Sequence, residues 1–535
     1  MTVAALSPAR SRAAGNPWLV AAVVVVPTFM EVLDTTIAVV ALRYIVGGLS
    51  ATADDGEWVL TSYLAANAII LPITGWLSAH LGRRNYFLAS IAIFTLSSFL
   101  CGLAGSLGQL ILFRVMQGLA GGGLQPSSQG VLLDAFPPEK QGVAMTLFGF
   151  AALIAPVIGP TLGGWITDSY SWRWVFLINV PVGLLALAGC YALLRDPDYL
   201  VTQRTELKKQ PFHFDSIGLS LLVIVMVSWE VMLSKSQEWD WLGDPFWRIQ
   251  TLAIFFTVGL VGLIFWELRH RNPVVNFRPL GERNFAACCI IIFCAYLALY
   301  AASTSLPGLL QSLFGYDALS AGLVMSPGGI FAVLAMPIVG RLLGRGTDAR
   351  WLIAAGLLTM SAGNYWMSQL NLDISPWQAV WPRVLVVAGL AICFAPANVA
   401  AYLYTPMALR GAAVGLLSLL RNEGGSVGTS LAQTLQERRD QFHTLRLGEY
   451  LDPFNAAANS FLAHARALFL QQTADPVAAQ HFAWQELENL RQQQASSLAY
   501  FDSFWMVAVL TFAVAFLVLV MKRSVAERGG HIGVE

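Results

Sequence analysis

Long apolar runs recur along the whole chain, separated by short polar turns. Fourteen of them, at 18–42, 58–79, 85–104, 109–134, 142–166, 175–194, 216–234, 249–268, 285–305, 320–343, 351–370, 380–404, 412–436 and 501–521, lie near the ~20 residues needed to cross a bilayer. They are numbered spans 1–14 here. Backbone groups in hydrocarbon must satisfy one another within the segment, so the runs predict helices. The pattern therefore predicts an all-α integral membrane protein with fourteen transmembrane helices.

Composition points the same way. Of 535 residues, 56% are apolar and only 12% charged, too few charges to coat several soluble domains. Net charge is zero, which gives no argument for a nucleic-acid partner. The six cysteines, Cys101, Cys190, Cys288, Cys289, Cys294 and Cys393, sit inside apolar runs without Cys-x-x-Cys spacing, so neither a metal site nor a disulfide is expected. Arg10 and Arg12 ahead of an apolar stretch resemble a signal peptide. The stretch is long and no small-residue cleavage site ends it, so it is read as an uncleaved first span.

Lys and Arg set the orientation. With the N-terminus inside, the inner loops and tails carry most of them, including Arg83, Arg84, Lys140, Arg195, Lys208, Lys209, Arg271, Arg341, Arg350, Lys522 and Arg528. The outer loops and their edges carry only Arg43, Arg173, Lys235, Arg248 and Arg383. Both tails are then cytoplasmic. Residues 437–500 are polar, lie outside in this topology, and read as helices over 456–472 and 477–499 with a break at Asp475-Pro476. Two readings stand for this segment: a solvated helical hairpin, or a docking surface for a partner outside the membrane.

An internal repeat divides the chain. Leu71-Pro72-Ile73-Thr74-Gly75 is echoed 265 positions on by Met336-Pro337-Ile338-Val339-Gly340, and Phe113-Arg114-Val115 is echoed 269 positions on by Pro382-Arg383-Val384. Spans 1–6 therefore match spans 9–14 in the same orientation. The division is a tail at 1–17, a first six-helix half at 18–194, a linker with two inserted spans at 195–284, a second half at 285–521 that includes 437–500, and a tail at 522–535. Parallel halves of this kind place a substrate site near the midplane between them.

The chain has no Gly-Lys-Ser or Gly-Lys-Thr phosphate loop, so transport work is expected from an ion gradient or a partner. No catalytic residue, metal or cofactor is expected. Charges inside spans cost about 2.5–3.5 kcal/mol each by insertion scales, which makes them functional candidates. Glu31 and Asp34 stand on one face of span 1, three residues apart. Two carboxylates facing one cavity repel, and desolvation disfavours their charge, so at least one is expected to hold a proton near neutral pH. Such a group loads a proton outside and releases it inside; the alternative is a structural carboxylate. Arg114 in span 4 needs an anion, and Asp34 or Glu31 could supply it, as a breakable or a permanent pair. Glu230 lies near the end of span 7 and is expected at the interface. Glu423 is either a second acidic site for cations or the partner of a basic residue, and Arg421, two positions away, does not face it.

Pro156, Gly159, Pro160, Gly163 and Gly164 bend span 5 and let it pack closely, suiting a seal in alternating access. Gly75, Gly82, Arg83 and Arg84 belong to the turn after span 2, where the arginines suit a latch or simply the inside-positive bias. Tyr63, Asn67, Gln125, Tyr296, Tyr300, Asn398 and Tyr402 are candidate cavity residues, because aromatic walls with few polar groups suit lipophilic molecules.

Taken together, Leu33-Asp34-Thr35-Thr36-Ile37-Ala38, Leu71-Pro72-Ile73-Thr74-Gly75-Trp76-Leu77, Phe113-Arg114-Val115-Met116-Gln117-Gly118, Gly159-Pro160-x-x-Gly163-Gly164 and Asn179-Val180-Pro181-Val182-Gly183 resemble the fourteen-spanner drug:proton antiporters of the major facilitator superfamily, of the EmrB type. The resemblance covers nearly the whole chain. It implies a proton-driven multidrug exporter of lipophilic molecules in the inner membrane of the cell, with Asp34 as the proton-linked acid and Arg114 as its partner. It also implies a periplasmic adaptor at the long outer segment and an outer-membrane channel beyond it. Val39, Arg43 and Ala79 depart from the family pattern, Ala79 standing where the turn after span 2 usually carries an acid. Glu31 and Glu423 are additional acids. A dedicated exporter of one metabolite, such as a siderophore or organic acid, and a non-transporting sensor or scaffold are the competing readings.

Overall fold

The computed structural model describes residues 16–525 except 138–139, 210–214, 271–272, 317, 407–408 and 453. Arg10, Arg12, Arg271 and Arg528 lie outside the described residues, as do the side chains of Arg43, Pro160, Lys208 and Lys209. Among the described residues every regular element is helical.

Ten helices are long and apolar enough to cross a membrane alone. An eleventh pass is span 5, whose pieces Val143–Pro156 and Thr161–Ser169 meet at 46°. The other three predicted spans are helical but are either broken into short pieces or interrupted by polar residues. Span 4 is split into Leu107–Gly121 and Leu124–Ala135, span 12's neighbour Ala349–Ser368 is span 11, and span 13 opens the helix Arg410–Gly448. Neither piece of span 4 is long enough to cross alone, and these spans bury polar side chains: Arg114 and Gln117 in span 4, Ser361 and Asn364 in span 11, and Arg421 and Glu423 in span 13.

Spans 1–6 and 9–14 form two bundles that meet mainly along two helix pairs. Span 2 meets span 13, where a Cβ on Gly75 would stand 2.9 Å from the carbonyl carbon of Gly411 and one on Gly415 2.9 Å from the carbonyl oxygen of Leu71. Span 5 meets span 10 at both ends, at Thr161 against Gly322 and at Thr146 against Gly340. Small residues replace side-chain bulk at these crossings, which lets helices approach where lipid offers no hydrophobic drive to association.

The inserted spans, Ser216–Lys235 and Arg248–Arg269, pack mainly on each other, and the first also contacts spans 2 and 13. Span 8 turns Ile254, Phe255, Val258, Val261, Phe265 and Leu268 outward, the surface expected of a helix bathed in lipid tails.

Residues 437–500 are more ordered than a connecting loop. Span 13 runs on to Gly448, and span 14 starts at Pro476 in a 40-residue helix ending at Ala515. At 1.5 Å per residue a 40-residue helix is about 60 Å long, twice the ~30 Å hydrocarbon layer, so both helices project beyond it. Ala456–Thr473 closes the projection. Asn455 caps its start by accepting from the amides of Ala457 and Ala458, and Asp475 caps the last helix ahead of Pro476. Leu462, Ala465 and Ala483 form a small core there with Phe461, Phe469 and Leu487. Asp502 accepts from Arg439 at 2.5 Å and pairs with His443 at 2.7 Å, tying the two long helices together.

Candidate transport site

A cavity of about 560 Å³ lies between the two halves. Its walls come from the C-terminal part of span 1, the N-terminal part of span 2, and spans 4, 5, 7, 9, 10 and 13. Tyr44, Glu57, Asp168 and Gln311 line its mouth, near the ends of their helices remote from Arg83 and Arg84. On the face bearing those arginines the halves are shut. Gly75 lies on Gly411 there, and Gln129 Nε2 donates to Asn398 Oδ1 across the interface at 2.6 Å.

Glu31 and Asp34 share a helix but do not share the cavity. Glu31 lines it and Asp34 does not. Three residues advance a helix by about 300°, so the two carboxyls diverge by some 60°, enough to put one on the cavity side and one among spans 3, 4 and 6. Direct repulsion across a common cavity is therefore replaced by two separate polar shells.

Both Asp34 oxygens are satisfied, while Arg114 Nη2 has no hydrogen-bond partner among the described residues. Arg114 Nη1 donates to Asp34 Oδ2 at 2.6 Å, and both side chains are fully buried. Gln117 Nε2 and Asn179 Nδ2 donate to Oδ1 at 2.9 and 2.7 Å. Arg114 also donates from Nε to the carbonyl of Val59 at 3.0 Å, and the Tyr63 ring lies 4.2 Å from its guanidinium carbon. Arg114 itself reaches the cavity wall, so the pair joins the closed interior of the first half to the cavity.

The Glu31 shell spans both halves. Tyr63 Oη and Asn67 Nδ2 donate to Oε1 at 3.2 and 3.1 Å, and Gln125 Nε2 donates to Oε2. Gln125 Oε1 in turn accepts from Arg421 of span 13. The Arg421 guanidinium is held 5.4 Å from the Phe148 ring and 5.9 Å from the Tyr296 ring. An acid of the first half is thus linked to a cation of the second through one amide.

These features can be set beside known proteins. The Major Facilitator Superfamily profile matches residues 24–429. The "Multidrug export protein EmrB" of Escherichia coli (strain K12) is 35% identical over 509 residues, 95% of each chain. The chain belongs to the major facilitator superfamily, in its EmrB-type branch. The Haemophilus influenzae multidrug export protein EmrB is 37% identical over 447 residues, 83% of this chain and 86% of that one. The "Fatty acid resistance protein FarB" of Neisseria gonorrhoeae is 36% identical over 436 residues, 82% and 84% of the two chains. Among solved structures, the human organic anion transporter MFSD10 (TETRAN) superposes with a TM-score of 0.58 at 13% identity, over 94% of this chain and all of that one, which shows the shared fold. This EmrB-type chain is a multi-pass membrane protein and a transporter rather than an enzyme.

In this superfamily member the other candidates fall in three places. Tyr63, Gln125, Tyr296 and Tyr300 line the cavity, together with Pro156 and Gly164 of span 5. Asn67, Asn398, Tyr402 and Glu423 are buried but do not line it. Asn67 is drawn away by Glu31 and Asn398 by Gln129, while Glu423 sits behind the wall formed by Glu230 and Ser426. The expectation that Glu230 reaches the interface is corrected: it is 1% exposed, lines the cavity, and accepts from Ser426 Oγ at 3.2 Å. Glu230 stands on the side of span 7 that meets Ser426 of span 13, whereas Ile217, Ile224 and Val227 of the same helix are exposed.

Gly82 adopts φ +88° at the end of the span 2 helix, a conformation a side chain would strain. Arg83 then donates to the Gly130 carbonyl at 3.0 Å and pairs with Asp134 at the end of span 4, while Arg84 donates to the Tyr191 carbonyl at 2.9 Å. Span 4 thus supplies an acid although Ala79 does not. Gly159 and Gly163 lie against Thr36 and Ile37, so span 1 beside Asp34 is packed directly on the bend of span 5.

Sequence reasoning passed over Gln117, Ser98 and Gln129. Amides and hydroxyls carry no insertion penalty comparable to a charge, so nothing singled them out in their runs.

Proposed function

We propose that this transporter exports lipophilic small molecules in exchange for protons, and that Asp34 with Arg114 forms the coupling pair. The observation that carries the reading is the fully buried 2.6 Å contact between Asp34 and Arg114, with Arg114 alone of the two at the cavity wall. A proton arriving from the cavity neutralises Asp34 and removes the anion that holds Arg114. The freed cation, and the rearranged shell of Gln117 and Asn179, disfavour the present packing of spans 1 and 4 and favour the alternate arrangement of the halves. Cargo entering from the other side re-ionises the acid and the proton leaves. Each proton moving inward yields about 2.3 kcal/mol per 100 mV.

In this reading the arginine-rich face is cytoplasmic, both termini are cytoplasmic, and the cavity opens outward from the inner membrane. Tyr63, Gln125, Tyr296 and Tyr300 contact cargo. The names of its relatives, which include multidrug export proteins, support a broad rather than a single-substrate range. The helices that project beyond the membrane around Ala456–Thr473 receive a periplasmic adaptor, through which cargo passes to an outer-membrane channel.

The test is proton release from purified protein in weak buffer. Adding a transported drug should acidify the medium with wild type and not with Asp34→Asn. A folded Asp34→Asn variant that still accumulates drug uphill on a pH difference alone overturns the assignment.

A further inference from the structure

The repeat that relates the two halves has a consequence at Arg383. Arg383 and Arg114 are 269 positions apart, and so are Ser303 and Asp34. The contacts follow the same relation: Arg114 Nη1 donates to Asp34 at 2.6 Å, and Arg383 Nη2 donates to Ser303 Oγ at 2.8 Å. The second half therefore repeats the geometry of the coupling pair with a hydroxyl in place of the carboxylate.

What is missing is charge. Arg383 is 0% exposed, and its Nε and Nη1 have no hydrogen-bond partner among the described residues. No salt bridge reaches it among those residues, whereas its counterpart has one. The position equivalent to Gln117 is Val386, which donates nothing and accepts nothing. A buried guanidinium without an anion is unfavourable unless something brings the anion. Ser303 lines the cavity and Arg383 lies directly behind it, so the Ser303 hydroxyl separates Arg383 Nη2 from the space open to cargo. Tyr300, Thr304, Pro307 and Met325 form the wall around it, largely apolar.

We propose that Arg383, with Ser303, is an anion-binding site of the second half that takes the carboxylate head of a lipophilic monocarboxylate. Each bidentate edge of the guanidinium pairs Nη2 with one of the unpaired nitrogens, Nε or Nη1, so a carboxylate that takes the place of Ser303 Oγ on Nη2 meets a complete fork. The aliphatic body lies along Pro307 and Met325. Bound anion gives the second half the compensation that Asp34 gives the first. The proposal rests on the export reading above and adds a class of cargo to it. A free halide presents the same charge to the same donors and is the other source of an anion.

The test uses full-length protein in detergent at pH 7.5 in gluconate buffer, titrated calorimetrically with laurate and with dodecylamine of equal chain length, and with sodium chloride as competitor. Ser303→Asp places a fixed carboxylate where the first half has one. It is expected to raise the melting temperature and to lower the laurate-to-dodecylamine affinity ratio at least tenfold. Arg383→Met should lower the ratio likewise, and Ser303→Asp keeps the test decisive if that variant misfolds. Chloride that competes with laurate in wild type, and not in Ser303→Asp, supports the site with halide as a second source. A ratio within twofold of wild type in folded Ser303→Asp, with no chloride effect in wild type, overturns it. Failure of the export reading looks different: wild type would bind both probes without releasing protons.

Discussion

Gln129 and Asn398 belong to opposite halves and are joined side chain to side chain at 2.6 Å, both buried. Asn398 is held in place by its own donation to the Phe394 carbonyl at 2.8 Å. The bridge crosses between the halves on the closed, arginine-bearing side of the cavity, so opening that side must break it. A buried neutral hydrogen bond is worth about 1 kcal/mol net. Asn398→Ala should therefore shift the balance toward the alternate arrangement by about fivefold. Spin labels at Leu81 and Arg345, exposed positions of the two halves on that face, should report a larger fraction of long distances in the variant.

The Asp34–Arg114 pair makes a prediction about stability as well as transport. Removing one partner of a buried pair leaves the other uncompensated and typically costs about 3–5 kcal/mol. Arg114→Met and Asp34→Asn should each lower the melting temperature in detergent. The double variant should recover part of the loss, because no lone charge remains. Strict additivity of the two losses in a scanning-fluorimetry cycle would show that the pair is not energetically coupled.

The division between what the chain revealed and what it withheld follows from the physics of each feature. Apolar run length fixed the spans, because lipid imposes one length on every crossing helix. Arg114 and Asp34 stood out as costly charges, and they meet in the structure. The divergence of Glu31 and Asp34 was less legible, because a face shared on a helical wheel does not say which neighbour packs there. Glu230 was misplaced for a related reason: position along a span says nothing about whether lipid or protein lies beside it. The extent of the projecting helices was hidden too, since the polar stretch from Glu437 to Gly448 reads as the start of the outer segment once the apolar run ends, yet continues the span 13 helix. The repeat offset of 269 was visible in the chain, but only the structure shows that it carries Asp34 onto Ser303 as well as Arg114 onto Arg383.

Gly75 offers a steric test of the seal. A Cβ there would lie 2.9 Å from the Gly411 carbonyl carbon, and backbone cannot swing aside as a side chain can. Gly75→Ala should hold spans 2 and 13 apart on the closed face. Drug binding should survive, while uphill export should fall by at least tenfold. Gly281→Ala, where an added Cβ meets nothing within 4 Å, is the matched control and should export at the wild-type rate. Normal export by Gly75→Ala would mean that the two helices are not a closing contact in the cycle.

Glu230 and Glu423 bring two acids to the junction of the inserted span 7 with span 13. Glu230 lines the cavity and uses one oxygen to accept from Ser426, while Glu423 lies beside Glu230 and Trp229. Arg421 is committed elsewhere, to Gln125 and to the Phe148 and Tyr296 rings, so it does not neutralise them. Cationic cargo near Glu230 therefore meets an excess of carboxyl groups, and neutral cargo meets only their desolvation. A tenfold affinity change corresponds to about 1.4 kcal/mol, a modest demand on one buried charge interaction. Glu230→Gln and Glu423→Gln should each lower export of a permanent monovalent cation such as ethidium by about tenfold, with a smaller effect on an uncharged lipophilic drug. The comparison needs both cargoes in the same vesicles under the same pH difference. If ethidium export by folded Glu423→Gln matches wild type, the second acid has no part in recognising cations. Equal losses for both cargoes would instead assign the two glutamates to the transport cycle itself.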